Sequence, residues 1–112
     1  MAITDTLATI PLFAGLRQPE LEILAQRMRP RRYREGEAIF HRDDPGAAMY
    51  VILKGQVKIH NEGVDGTDVI ITVFNAGEFF GDMALLDGSE RSTDATTMEA
   101  TEMLMLTRGD LE

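Results

Sequence analysis

Two hydrophobic periods divide this chain. Between Pro19 and Pro30 the apolar residues Leu21, Leu24, Ala25 and Met28 recur at spacings of three and four, the one-sided stripe of an amphipathic helix. Pro19 suits the first turn of that helix and Pro30 ends it. Just upstream, PLFAGL (Pro11 to Leu16) predicts a short apolar turn packed on the same core. From Tyr33 onward the pattern shortens. EAIFH, MYVIL, QVKIH, DVIITVF, EFF, TDATT and TEMLMLT are short and apolar or β-branched, with glycine or aspartate between most of them. Strands of this length at near-regular spacing predict a barrel or a jelly-roll-like sandwich. Asp65-Gly66, between QVKIH and DVIITVF, suits a hairpin tip. The fold class is therefore α+β and mainly β, with its helices gathered at the N-terminus.

One stretch breaks the strand pattern. Met83, Ala84, Leu85 and Leu86 are good helix formers set between Gly81-Asp82 and Asp87-Gly88, which predicts a short helical turn over residues 82–86. The first N–H groups of such a turn have no partner within it and carry partial positive charge, so they suit a phosphate. Gly81 lets the backbone approach a ligand closely. Arg91, one of few basic residues in the second half of the chain, offers a planar guanidinium able to hold two phosphate oxygens. Asp82 offers an acceptor for ribose hydroxyls. Donors for a phosphate and an acceptor for a sugar together describe a nucleotide. The same residues also read as a helix cap and an exposed turn arginine, and on the residues alone both readings stand.

Charge sharpens the question. The 112 residues, enough for one domain, carry a net charge of −8, which argues against this domain itself gripping nucleic acid or an anionic membrane. Any anion must therefore meet a local positive site. The arginine run Arg27, Arg29, Arg31, Arg32 and Arg34 reads as a solvated face whose long stems cover apolar surface at the helix–strand corner. The absence of cysteine excludes disulfides and thiolate metal sites and accords with the cytoplasm. No apolar run approaches the roughly 20 residues that span a bilayer, and MAITDTLATIPLFAGL lacks a basic signal-peptide start. The expectation is a single cytoplasmic domain over residues 1–112 with no membrane partner. Its ending, RGDLE, reads as a helix cut short, with Leu111-Glu112 either native or a cloning remnant.

Other chemistry finds little support. Two histidines, His41 and His60, are too few for a cupin-type metal barrel and read as solvent-facing strand positions. NEGVDGTDVIIT has Thr72 where a calcium loop needs a bidentate glutamate. No catalytic triad, Walker sequence or paired catalytic carboxylates can be assembled, so no enzyme, metal or cofactor is expected. Met103 and Met105 alternate along a strand and read as core.

The stretch GEFFGDMALLDGSERSTDAT resembles the phosphate-binding cassette of cyclic nucleotide-binding domains, whose usual form is glycine, glutamate, a short apolar turn, then arginine and a small residue. PLFAGLRQPELEILA, YREGEAIFHRDDPGAAMYVILKGQVKI and TEMLMLTRGDL resemble the catabolite-activator and FNR-like branch of transcription regulators, so the resemblance runs from about Pro11 to the end. It implies an eight-stranded β-roll, a jelly-roll-like double-stranded β-helix with flanking helices. It also implies a sensory domain that binds a cyclic nucleotide, cAMP favoured over cGMP, and controls an attached output module. Carried over by position, Arg91 pairs with the exocyclic phosphate oxygens. Gly81 and the N–H groups of Met83 and Ala84 complete the cradle, Asp82 meets the ribose 2′-hydroxyl, and Ser92 adds a hydroxyl. Ile59, Ile71 and Thr72 wall the base, unless they simply pack the core. Three departures accompany the match. Asp82 is one methylene shorter than the family's glutamate, and a charge-assisted hydrogen bond of that kind is worth roughly 1.5–3 kcal/mol. Asp94 stands where many relatives have threonine, on the strand face opposite Arg91. The chain also stops before the C-terminal helix that caps the base and, in the transcription factors, dimerises; DNA contact would come from a helix-turn-helix absent here. The alternative is a degenerate β-roll that binds another ligand or none, against which the presence of Arg91 counts.

Overall fold

The computed structural model describes residues 3–111, without the side chains of Leu86 and Leu111. Helix α1 (Ile3–Ala8), a 3₁₀ turn (Pro11–Phe13) and α2 (Gln18–Arg27) precede the strands. These are β1 (Arg29–Tyr33), β2 (Ala38–Phe40), β3 (Ala48–Lys54), β4 (Gln56–Glu62), β5 (Asp68–Asn75) and β6 (Phe79–Phe80), then β7 (Asp94–Thr97) and β8 (Thr101–Thr107) after helix α3 (Asp82–Asp87). A 3₁₀ turn, Arg108–Leu111, follows. The strands form two antiparallel four-stranded sheets, ordered β1-β8-β3-β6 and β2-β7-β4-β5. Among the described residues no helix is long and apolar enough to cross a membrane.

The core explains why MYVIL is apolar without interruption. Side chains alternate across a strand, and β3 is covered on both faces. Met49 and Val51 join Leu7, Ile10, Phe13, Leu21, Leu24 and Met28 of the helical segment, together with Leu106 of β8. Tyr50 and Ile52 point the other way, into a layer between the sheets shared with Val57, Ile59, Phe80, Ala95 and Met103. Leu85 of α3 belongs to the first cluster and is fully buried, so the short helix is anchored by its apolar side while its N-terminal residues stay free to line a cavity.

Two details differ from what the residues suggest. The arginine run is exposed, and it is also strand: RPRRY forms β1, paired along its length with β8. Pro30 is tolerated because β1 is an edge, where a missing backbone donor costs no ladder bond. Arg29 reaches Asp110 at 3.3 Å and Arg32 reaches Glu102 at 3.1 Å. His60 corrects the reading of both histidines as solvent-facing. Its side chain is only 14% exposed, with Nδ1 2.6 Å from Asp68 Oδ1 and Nε2 2.8 Å from Thr96 Oγ1. It ties β5, β4 and β7 together. Hydrogen bonds from Lys58 first, and His60 second, hold the Asp68 carboxyl below the usual aspartate range.

Candidate functional site

Beneath α3 lies a cleft of about 720 Å³, within the ~300–1,000 Å³ usual for small-ligand sites. One wall is apolar: Phe40 of β2, Ile59 of β4, Thr72 and Phe74 of β5, and Phe79-Phe80 of β6. The opposite wall is polar backbone and side chain, Gly81 to Ala84 followed by Ser89 to Thr93.

Arg91 dominates the polar wall. It is 6% exposed, yet no carboxylate lies within ion-pairing distance of it among the described residues. Its Nη2 donates to the Ala48 carbonyl at 2.6 Å, and its Nε is buried with no partner. Burial pulls its pKa below the usual arginine value, against the opposing influence of Tyr50 and Asp44; the guanidinium nevertheless stays charged at neutral pH. A buried cation with unspent donors is costly unless an anion meets it.

The backbone around it is built to leave room. Gly81, the residue before α3, has φ +83°, and a Cβ there would stand 2.9 Å from Arg91 Nη1. The first backward bond of α3 is Leu85 N–H to the Gly81 carbonyl at 3.3 Å. Met83 and Ala84 come before it, so their N–H groups have no partner within the helix. The segment between β2 and β3 fixes the other side. Asp43 N–H donates to the Arg91 carbonyl and Arg91 N–H donates to the Asp44 carbonyl, both at 2.8 Å, and Pro45 bridges to Glu90. Gly46 sits so close that a Cβ would fall on the Ser89 carbonyl oxygen and 2.6 Å from Ala84 Cβ. Asp94 is occupied elsewhere: its Oδ1 accepts from the Arg42 N–H at 2.7 Å and lies 3.8 Å from His41 Nδ1.

Gly81, Asp82, Met83, Ala84, Arg91, Ser92, Ile59 and Thr72 thus surround one cavity. Ile71 does not. It is 55% exposed, and it is the extra residue at an irregularity in the pairing, where Ile59 faces Thr72 and the next residue, His60, faces Ile70. Sequence reasoning missed the aromatic wall and the carboxylate of Glu78, whose Oε1 accepts from the Asn75 N–H at 2.7 Å. Phe74 was within reach of strand alternation, two residues on from Thr72 in the regular part of the pairing. Among the described residues no group of three or more histidine, aspartate or glutamate side chains is placed to hold a metal.

The arrangement can hold a singly charged phosphate against Arg91 and two N–H groups, with an acidic acceptor beside it and an aromatic wall for a flat heterocycle. Comparison with known proteins identifies the family. The family model described as a cyclic nucleotide-binding domain matches residues 30–112. The chain is similar to the cyclic AMP receptor protein of Thermus thermophilus, 37% identical over 100 residues that cover 89% of this chain and 46% of that protein. It is similar to a cAMP-dependent protein kinase regulatory subunit of Dictyostelium discoideum, 31% identical over 88 residues, 76% of this chain and 27% of that one. Among solved structures, the N-terminal domain of a transcriptional regulator from Streptomyces coelicolor A3(2) superposes with a TM-score of 0.87 at 33% identity, covering 96% of this chain and 76% of that chain. The chain therefore spans less than half the length of these two curated relatives.

Proposed function

Because the chain belongs to the cyclic nucleotide-binding domain family, we propose that its cleft binds cAMP and that binding controls an output module. The observation that carries this reading is Arg91, a buried guanidinium with an unpartnered Nε and no ion pair among the described residues, facing a glycine-opened helix start. In this reading Arg91 holds the exocyclic oxygens of the cyclic phosphate, and the N–H groups of Met83 and Ala84 complete the cradle at Gly81. Asp82 accepts from the ribose hydroxyl, Ser92 adds a hydroxyl, and Ile59, Thr72 and Phe74 wall the base. The names of the Thermus and Dictyostelium relatives support cAMP over cGMP. The Streptomyces relative supports a transcription regulator as the whole protein, with residues 1–112 as its single sensory domain and DNA contact made elsewhere. The domain acts as a cytoplasmic sensor and not as an enzyme. Its leverage on the output is bounded by the ligand's difference in affinity between the two states.

Thermal melting tests the choice of ligand. A ligand that binds only the folded chain stabilises it by about 2.7 kcal/mol at a hundred times its Kd. We expect cAMP to raise Tm in a concentration-dependent way, and cGMP to require a higher concentration for the same rise. Equal effects would remove the preference for adenine. No effect from either nucleotide would favour the degenerate roll.

A further inference from the structure

We infer that Phe40 is the positioning residue for Arg91, holding the guanidinium in the cleft where a carboxylate would ordinarily do so. The ring centroid of Phe40 lies 4.2 Å from Arg91 Cζ. Apart from the single bond to the Ala48 carbonyl, the side chain has no polar partner among the described residues. A carboxylate would orient the guanidinium but would also neutralise the charge that must meet the ligand. An aromatic face attracts a cation through its quadrupole without neutralising it. The sequence builds this support deliberately. Pairing between β2 and β7 slips between Ala38 and Phe40, and such an irregularity re-aims the side chain beside it. The ring is then braced from behind by Tyr50 and Phe80, at centroid distances of 6.3 and 6.2 Å. Those two stack on each other at 5.2 Å, so Phe40 is the half-buried end of a rigid aromatic group.

The nucleotide arm of the test rests on the proposed function; the spectroscopic arm does not. Two variants separate ring from bulk, since Phe40→Tyr keeps the aromatic face and Phe40→Leu keeps apolar volume. In the unliganded chain, the Arg91 Nε–H resonance, assigned by its loss in Arg91→Lys, should be displaced upfield by the ring current. It should stay so in Phe40→Tyr and return downfield in Phe40→Leu. Titration with cAMP should show about a tenfold loss of affinity in Phe40→Leu and little change in Phe40→Tyr, since a desolvated cation–π contact is worth roughly that factor. A resonance unmoved in Phe40→Leu overturns the inference, as does affinity equally impaired in both variants or in neither. Failure of the wild-type chain to bind cAMP would count against the proposed function, while the resonance would still decide whether the ring holds the arginine.

Discussion

Replacing Arg91 with methionine is expected to lower the affinity for cAMP by at least a hundredfold while leaving the stability of the unliganded chain within about 1 kcal/mol of wild type. The two effects come from different sides of one observation. In the complex, the guanidinium supplies charge-assisted hydrogen bonds, each worth roughly 1.5–3 kcal/mol, and two of them reach or exceed a hundredfold in Kd. In the empty chain the same group is a buried cation with one bond to Ala48 and an orphaned Nε. Methionine gives up that bond but relieves the burial of an unpaired charge and still packs on Phe40. Calorimetric titration with cAMP and urea unfolding of both proteins check the two halves separately. Affinity within threefold of wild type would remove Arg91 from the site. A large loss of stability would mark it as a structural arginine.

Gly81→Ala should be a damaging small substitution in the cleft, costing about 2–5 kcal/mol of stability. Two terms add. At φ +83° an L side chain is strained by about 1–2 kcal/mol. The new methyl would also stand 2.9 Å from Arg91 Nη1, 3.0 Å from the Ala48 carbonyl oxygen and 3.4 Å from Met49 Cα. Two of those atoms are backbone and cannot yield cheaply, so overpacking contributes a further ~1–3 kcal/mol. Gly36 supplies the control, because its φ is +74° and nothing lies within 4 Å of an added Cβ. Gly36→Ala should therefore show the backbone strain alone. Urea midpoints of the two variants measure the difference. Equal midpoints would mean that the close approach of Gly81 to Arg91 has no energetic weight. Because the acceptor that orients Arg91 is the carbonyl the methyl would press on, cAMP affinity should fall in Gly81→Ala and not in Gly36→Ala.

Much of the site was legible because its chemistry is local. Gly81, Asp82, Met83, Ala84, Arg91 and Ser92 fall within one short stretch, and a glycine, a helical turn and an arginine read as an anion site before any packing is known. The strands were legible wherever apolar alternation marks them. RPRRY was not, since β1 is held to β8 by backbone pairing and its side chains, nearly all exposed, carry no hydrophobic signal. Ile71 and Thr72 show the limit within a strand. Both sit in an apolar run, DVIITVF, but the run belongs to an edge strand that is exposed from Asp68 to Thr72 and slips its pairing at Ile71, so apolarity did not report direction. Phe40 and His60 show the limit between strands. What matters about each is a neighbour more than thirty residues away, Arg91 for one and Thr96 for the other, and no local pattern encodes that meeting.

The most direct test of where the nucleotide sits is a backbone and arginine side-chain NMR titration of the chain with cAMP. The largest shifts are expected at the amide protons of Met83 and Ala84 and at the Arg91 guanidinium, with smaller ones at Thr72 and Ile59. His60 and Asp68, on the opposite face of the second sheet, should stay still. Shifts centred on that outer face, or binding that leaves Met83, Ala84 and Arg91 unmoved, would contradict a phosphate cradled at the start of α3.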